Sequence, residues 1–123
     1  IQNVVWEDVG EDALTVKEGG TVIVNGGEAY NADDKIFQLN DACTFRVSNF
    51  TADTFGKLIR QNGGTDFQCI IYIENVNLTN GDECIARTDS SSTQLYYSNI
   101  VTYNCDDNFQ WWVFPSLSQI HEL

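Results

Sequence analysis

Two stretches carry the pattern that decides the fold: Thr44-Phe45-Arg46-Val47-Ser48-Asn49-Phe50 and, 26 residues later, Ile70-Ile71-Tyr72-Ile73-Glu74-Asn75-Val76. In each stretch a short run of β-branched and aromatic residues precedes an Asn, and such runs are typical of β-strands. Three further runs of this kind have an Asn beside them. The five Asn residues are separated by steps of 22, 24, 26 and 24 residues and are Asn3, Asn25, Asn49, Asn75 and Asn99.

A second short strand is predicted about half a period after each of the first four, at 13–16, 35–38, 58–60 and 84–87. A period near 24 without an amphipathic helix favours a parallel β-solenoid. We therefore predict one all-β domain over residues 1–123, with about five turns stacked ~4.8 Å apart. The recurring Asn would then form a hydrogen-bonded column. The alternative is an antiparallel sandwich with Asn in its turns, where this residue is common.

Composition narrows the choice of partners. The chain has 6 basic and 18 acidic residues, a net charge of −12, and 42% hydrophobic residues. The hydrophobic share predicts a packed core rather than a disordered acidic tail. The acidity argues against nucleic acid and against an anionic membrane, but it permits a hard cation such as calcium. No apolar run is long enough to span a bilayer, which predicts no membrane association. The presence of a single histidine, His121, argues against a His-based catalytic triad and against a zinc site built on His.

The four cysteines occur at related positions of the repeat. Cys43 and Cys69 each lie six residues before an Asn of the column, so they are expected on adjacent turns, within reach of a disulfide. Cys84 and Cys105 also fall on adjacent turns, but three positions out of register. The even count, with the glycosylation sequons at Asn49 and Asn77, indicates secretion into an oxidising, extracellular setting. Free buried cysteines are the alternative.

Three charged segments fall at similar distances from the column. Glu11 and Asp12 lie 8 and 9 residues after their Asn, Lys35 lies 10 after, and Lys57 and Arg60 lie 8 and 11 after. If the register holds, acids and bases of three successive turns meet on one face. Such an array is a candidate site for a cation together with an anionic ligand. Solvated loops and surface ion pairs are the alternatives for each of these residues.

These segments resemble the successive motifs of pectate lyases of polysaccharide lyase family 3. The similar stretches are Trp-Glu-Asp-Val-Gly-Glu-Asp-Ala (6–13), Asn-Ala-Asp-Asp-Lys-Ile-Phe-Gln (31–38) and Asn-Phe-Thr-Ala-Asp-Thr-Phe-Gly-Lys-Leu-Ile-Arg (49–60). The resemblance is strongest from Ile1 to Arg60 and weaker to about Tyr103. It implies a right-handed parallel β-helix, and cleavage of polygalacturonate, the acidic polysaccharide of pectin, by β-elimination with Ca²⁺.

The resemblance also implies a role for each charged residue. Asp8, Glu11 and Asp12 would supply calcium oxygens, and Lys35 would bind the substrate carboxylate. Arg60 would be the base, although an Arg is costly to deprotonate. Lys57 would contribute to binding and is the alternative base, because a crowded Lys can have a lowered pKa.

The family's domain begins several turns before the Trp-Glu-Asp motif and includes one calcium ligand upstream of Glu11. A chain that starts at Ile1 is therefore expected to be shortened, with an open strand edge around Val4, Val5 and Trp6. Open edges pair with other chains. The second functional prediction is accordingly a non-catalytic β-helix for assembly or binding, whose copies stack end to end into oligomers or filaments.

Overall fold

The computed structural model describes residues 1–123, and its regular secondary structure consists almost entirely of parallel β-strands. The strands are β1 (Gln2–Trp6), β2 (Leu14–Val16), β3 (Gly20–Tyr30), β4 (Lys35–Leu39), β5 (Cys43–Gln61), β6 (Ile70–Arg87), β7 (Gln94–Tyr103), β8 (Gln110–Val113) and β9 (Ile120–Glu122). Every strand pairing is parallel. The one helical segment is a 3-10 turn at Leu117–Gln119. The prediction of an all-β parallel solenoid of about five turns is confirmed.

Each turn contributes strand segments to three faces. The first face consists of 20–24, 43–48, 70–74, 94–98 and 120–122, which pair in that order. The second face consists of 4–6, 27–30, 50–53, 76–79 and 100–103. The third face consists of 14–16, 35–39, 57–61, 84–87 and 110–113. Residues one turn apart therefore lie directly above one another, as the sequence register predicts.

The inward side chains form one continuous hydrophobic core. It is a cluster of 23 buried residues that includes members of all three faces. Phe37 lies at its centre, with its ring centroid 5.1 Å from that of Phe45 and 5.4 Å from that of Phe50. Trp6 meets Phe37 edge-on at 6.1 Å. The aromatic residues of the early turns therefore belong to the core or pack directly against it.

The predicted Asn column lies at the bend between the first and second faces. Asn49, Asn75 and Asn99 have φ of 55°, 54° and 51°, a left-handed conformation that Asn tolerates better than most residues. Asn99 Nδ2 donates to Asn75 Oδ1 at 2.8 Å, and Asn75 Nδ2 donates to Asn49 Oδ1 at 3.4 Å. One member differs from the prediction, because the bend position of the second turn belongs to Gly26. Asn25 precedes it and still accepts a bond from Asn49 Nδ2 at 2.9 Å.

A second column at the next bend was not predicted. The non-glycine residues with positive φ between the second and third faces are Asn31, Thr54, Asn80 and Asn104. Asn104 Nδ2 donates to Asn80 Oδ1 at 2.6 Å, and Asn80 Nδ2 donates to Asp53 Oδ1 at 2.8 Å. Thr54 breaks the Asn series, which hides the repeat from a search for recurring Asn. It is also the one β-branched residue of the chain in this conformation.

All four cysteines are free thiols. Cys43 and Cys69 lie on adjacent turns as predicted and are both buried. Their sulfurs are 3.8 Å apart, in hydrogen-bond contact, but no disulfide joins them. Cys84 and Cys105 do not contact each other. Cys84 is aligned with Lys57 and Gln110 on the third face, whereas the Cys105 sulfur faces backbone carbonyls at the second bend. The offset of three positions thus separates this pair. The disulfides that the sequence made possible are absent, and all four residues correspond to the alternative of free cysteines.

The first strand lies at one edge of the sheet. β1 pairs with β3 alone, and Val5 and Ile23 are each about half exposed. Association of copies through this edge stays a prediction. No helix of the structure has the length and apolar character that crossing a membrane requires.

Candidate active site on the third face

The basic residues singled out in the sequence lie together on the third face. Lys35 is paired in register with Lys57 on the next turn, and Gln38 is paired with Arg60. In a regular strand, residues three apart point to opposite sides. Here two consecutive residues between Lys57 and Arg60, Leu58 and Ile59, are both fully buried. This departure from strict alternation allows Lys57 and Arg60 to emerge on the same side.

Carboxylates from three turns hold the two lysines in a chain of ion pairs. Lys57 Nζ lies 2.6 Å from Asp34 Oδ1 and 2.5 Å from Glu83 Oε2. Lys35 Nζ lies 3.2 Å from Asp34 Oδ2 and 3.3 Å from Asp12 Oδ1. The Lys57 side chain is only 9% exposed, so these partners are needed to stabilise its charge. The resulting order along the face is Asp12, Lys35, Asp34, Lys57 and Glu83.

The ion pairs set the protonation of both lysines. Burial acts to lower the pKa of Lys57, but the hydrogen bonds to Asp34 and Glu83 outweigh it, and the pKa is raised. The pKa of Lys35 is likewise raised, because its bonds to Asp34 and Asp12 outweigh burial. The hydrogen bond from Lys57 is the largest influence on Asp34 and lowers the pKa of that carboxyl group. The expectation that crowding lowers the pKa of Lys57 is therefore wrong.

Arg60 lies deeper in the face than its charge suggests. Its side chain is 14% exposed, and Nη2 lies 3.4 Å from Asp89 Oδ2. Nη1 is buried and has no hydrogen-bond acceptor. Gly63 packs against the guanidinium, and a side chain at this position would press on Nη2. The Gly64 N–H donates to Asp89 at 2.8 Å, so the turn at 62–64 positions the carboxylate that orients Arg60.

The three carboxylates predicted to bind calcium are not gathered around one point. No three Asp, Glu, His or Cys side chains form a metal-binding cluster. Asp8 and Glu11 are exposed, and Asp12 is turned toward Lys35. The donor chemistry nevertheless fits a hard cation in part, because Asp12 Oδ1 is buried and has no hydrogen-bond donor in good geometry.

Several charged residues of this face are not among the site residues predicted from the sequence. Glu83 and Asp89 complete the ion pairs of Lys57 and Arg60, yet they come from turns outside the quoted motifs. Arg87 is paired in register with Arg60 and is exposed. The repeat predicts the position of Arg87 on this face, because Arg87 lies in the predicted strand at 84–87.

Fold and site together define a parallel β-solenoid with an ion-paired cationic site on one face. Comparison with known proteins then gives the family, because the family model for pectate lyase matches residues 1–113. Probable pectate lyase D of Emericella nidulans is 43% identical over 94 residues, covering 74% of this chain and 36% of that protein. Probable pectate lyase F of Aspergillus flavus is 36% identical over 104 residues, covering 80% and 44%.

Pectate lyase H of Emericella nidulans is 45% identical over 84 residues, covering 66% of this chain and 32% of that protein. The chain belongs to the pectate lyase family. It spans between about a third and somewhat under half of the length of the relatives it matches. The family resemblance seen in the sequence motifs is thereby confirmed.

Proposed function

We propose that this chain carries the catalytic face of a secreted, calcium-dependent pectate lyase that cleaves polygalacturonate by β-elimination. The observation that carries the proposal is the convergence of Lys35, Lys57 and Arg60 on one face of adjacent turns. Family membership and the names of the relatives support the same substrate class. Three cations in an otherwise acidic protein provide a local site at which an acidic polymer can bind.

The two lysines are assigned to the substrate carboxylate. An ammonium group has three N–H donors, and each lysine contacts two carboxylates. Each therefore keeps one donor for a galacturonate carboxylate. Lys35 is the more exposed of the two and is the first contact. The raised pKa of Lys57 keeps it protonated, which suits anion binding and works against the role of base.

Arg60 is assigned as the base. In the elimination, the C5 proton leaves to the base, its electron pair forms the C4–C5 double bond, and the C4–O bond to the neighbouring sugar breaks. The leaving oxygen then takes a proton from water. To accept the C5 proton, the guanidinium of Arg60 must first release one of its own protons to water. The Arg60 side chain is 14% exposed, and Nη2 lies 3.4 Å from Asp89 Oδ2. Loss of a proton from Arg is costly, so the reaction depends on stabilising the carbanion at the uronate.

Asp12 and Glu11, with Asp8 on the same segment, are the residues that would hold Ca²⁺. When bound, this ion would supply positive charge that stabilises the carbanion formed next to the C6 carboxylate. Asp12 Oδ1 is buried and accepts no hydrogen bond in good geometry, although Lys35 Nζ lies 3.3 Å away, and this supports the assignment. Calorimetric calcium binding should weaken in Glu11→Gln and remain unchanged in Glu18→Gln, an exposed acid outside this segment.

The test of the reaction is the ultraviolet absorbance of unsaturated uronates when the purified chain meets polygalacturonate and calcium. Product formation that stops on addition of a chelator is the expected result. Absence of product with the folded chain and calcium would refute the proposal for this polypeptide. Oligomers or filaments in the same sample, without any product, would favour the assembly function instead.

A further inference from the structure

Arg87 differs from the other cations of the third face in having no carboxylate partner. Lys35, Lys57 and Arg60 each lie within 4.0 Å of at least one carboxylate oxygen, whereas Arg87 forms no such pair. Asp89 is nearby in sequence, but it is bound by Arg60 and by the Gly64 N–H. Arg87 is also exposed. Its charge is therefore available to an external anion.

The position of Arg87 continues the line of the proposed site. It is paired in register with Arg60 on the preceding turn, at the spacing of neighbouring strands, ~4.8 Å. A polymer that reaches Arg60 and runs along the solenoid axis meets Arg87 next. The following residue in this line is Val113, so the cationic series ends at Arg87.

A cavity of about 430 Å³ opens beside Arg87, between the fourth and fifth turns. This volume lies within the range of small-molecule sites, ~300–1,000 Å³. Asn108 and Gln110 line it with amide groups, and Asp82 and Glu83 line it with carboxylates. Glu83 is held by Lys57, which leaves Asp82 as the acid without a cationic partner. The cavity thus offers one free guanidinium, two amides and one free carboxylate.

We propose that this cavity binds one hexuronate unit of an acidic polysaccharide, with Arg87 pairing the carboxylate. The two amides and Asp82 suit the ring hydroxyls, which both donate and accept hydrogen bonds. A neutral sugar would leave Arg87 unpaired. A phosphate group carries up to two negative charges, so Asp82 and Glu83 would repel it more strongly than the single charge of a uronate carboxylate. The inference rests on the proposed function for its substrate class and extends the site by one turn toward the C-terminus.

The test is binding of a linear galacturonate trimer, measured by calorimetry on the whole chain. Arg87→Gln is compared with Lys17→Gln, which removes the same charge from an exposed residue outside the third face. We expect the Kd to rise about tenfold in Arg87→Gln, the typical effect of losing a hydrogen bond to a charged group. Lys17→Gln should stay close to wild type, and Arg87→Lys should recover part of the loss. A neutral galactose trimer should bind all variants equally weakly.

Measurements of trimer binding and of polymer cleavage distinguish the proposed uronate site at Arg87 from the proposed lyase activity. Trimer binding that depends on Arg87 without any cleavage of polygalacturonate would support the uronate site and refute the lyase activity of this polypeptide. Cleavage with the same KM in Arg87→Gln and Lys17→Gln would refute the uronate site and leave the lyase proposal intact. Equal trimer affinity in wild type and Arg87→Gln, or no trimer binding at all, would likewise overturn the site at Arg87.

Discussion

Thr54 provides the most specific test of the columns that shape the solenoid. Its φ is 65°, and the aligned residues on other turns are Asn31, Asn80 and Asn104, with φ between 53° and 58°. The left-handed region costs a residue with a Cβ roughly 1–2 kcal/mol, and β-branching makes it less favourable still. Asn tolerates this conformation better and can hydrogen-bond along the column. We therefore predict that Thr54→Asn stabilises the fold.

The magnitude follows from two opposing effects. Relief of part of the backbone strain is favourable, while the bond from Thr54 Oγ1 to Asp53 Oδ1 at 3.0 Å is lost. That bond is exposed, and Asp53 keeps its bond from Asn80, so the loss is small. The expected gain is about 1 kcal/mol in the free energy of unfolding, or roughly 3–5 °C in Tm for a chain of this size.

Urea unfolding followed by circular dichroism measures the change, with the slope m checked for constancy. Thr54→Val is the matched control, because it keeps the branching and cannot form the column bond, and it should not gain stability. The reciprocal variant Asn80→Thr should lose about 2 kcal/mol, through the same strain and two broken side-chain bonds. An unchanged Thr54→Asn together with an unchanged Asn80→Thr would refute the reasoning.

Two further predictions concern the ion pairs and the thiols. Because the pKa of Asp34 is lowered, the ionised carboxylate stabilises the fold above the ordinary Asp pKa, and this stabilisation is lost as the pH falls through the lowered value. In thermal unfolding, Asp34→Asn should therefore be less stable than wild type at neutral pH. In acid the two proteins should be equally stable. Oxidised glutathione should join Cys43 and Cys69 across adjacent turns and raise Tm. Peptide mapping should show this link and none between Cys84 and Cys105.

The repeat explains why the fold was predictable from the sequence. Stacked turns place equivalent residues above one another, so a period near 24 carries both the strands and the Asn column. The error at Asn25 arose because Gly26 also tolerates a positive φ, and a search for recurring Asn does not detect this substitution. Thr54 concealed the second column for the same reason.

The sequence predicts which cationic residues form the site, but it does not predict their ion-pair partners or their burial. Register alone brought Lys35, Lys57 and Arg60 to one face. The direction of the pKa shift at Lys57 depends on Glu83, a residue of the next turn whose approach no local motif indicates. The emergence of Lys57 and Arg60 on one side depends on two consecutive buried residues, which a period of two does not predict.

The most direct measurement of the central claim is the initial rate of unsaturated uronate formation from polygalacturonate in Arg60→Gln and Arg46→Gln. Both variants remove one Arg that is paired with a carboxylate, but Arg46 lies on the first face, bound to Glu74. We predict that Arg60→Gln loses at least a hundredfold in rate, the usual scale for loss of a catalytic acid or base, while Arg46→Gln retains the wild-type rate. Equal rates in the two folded variants would contradict the assignment of the third face as the active site.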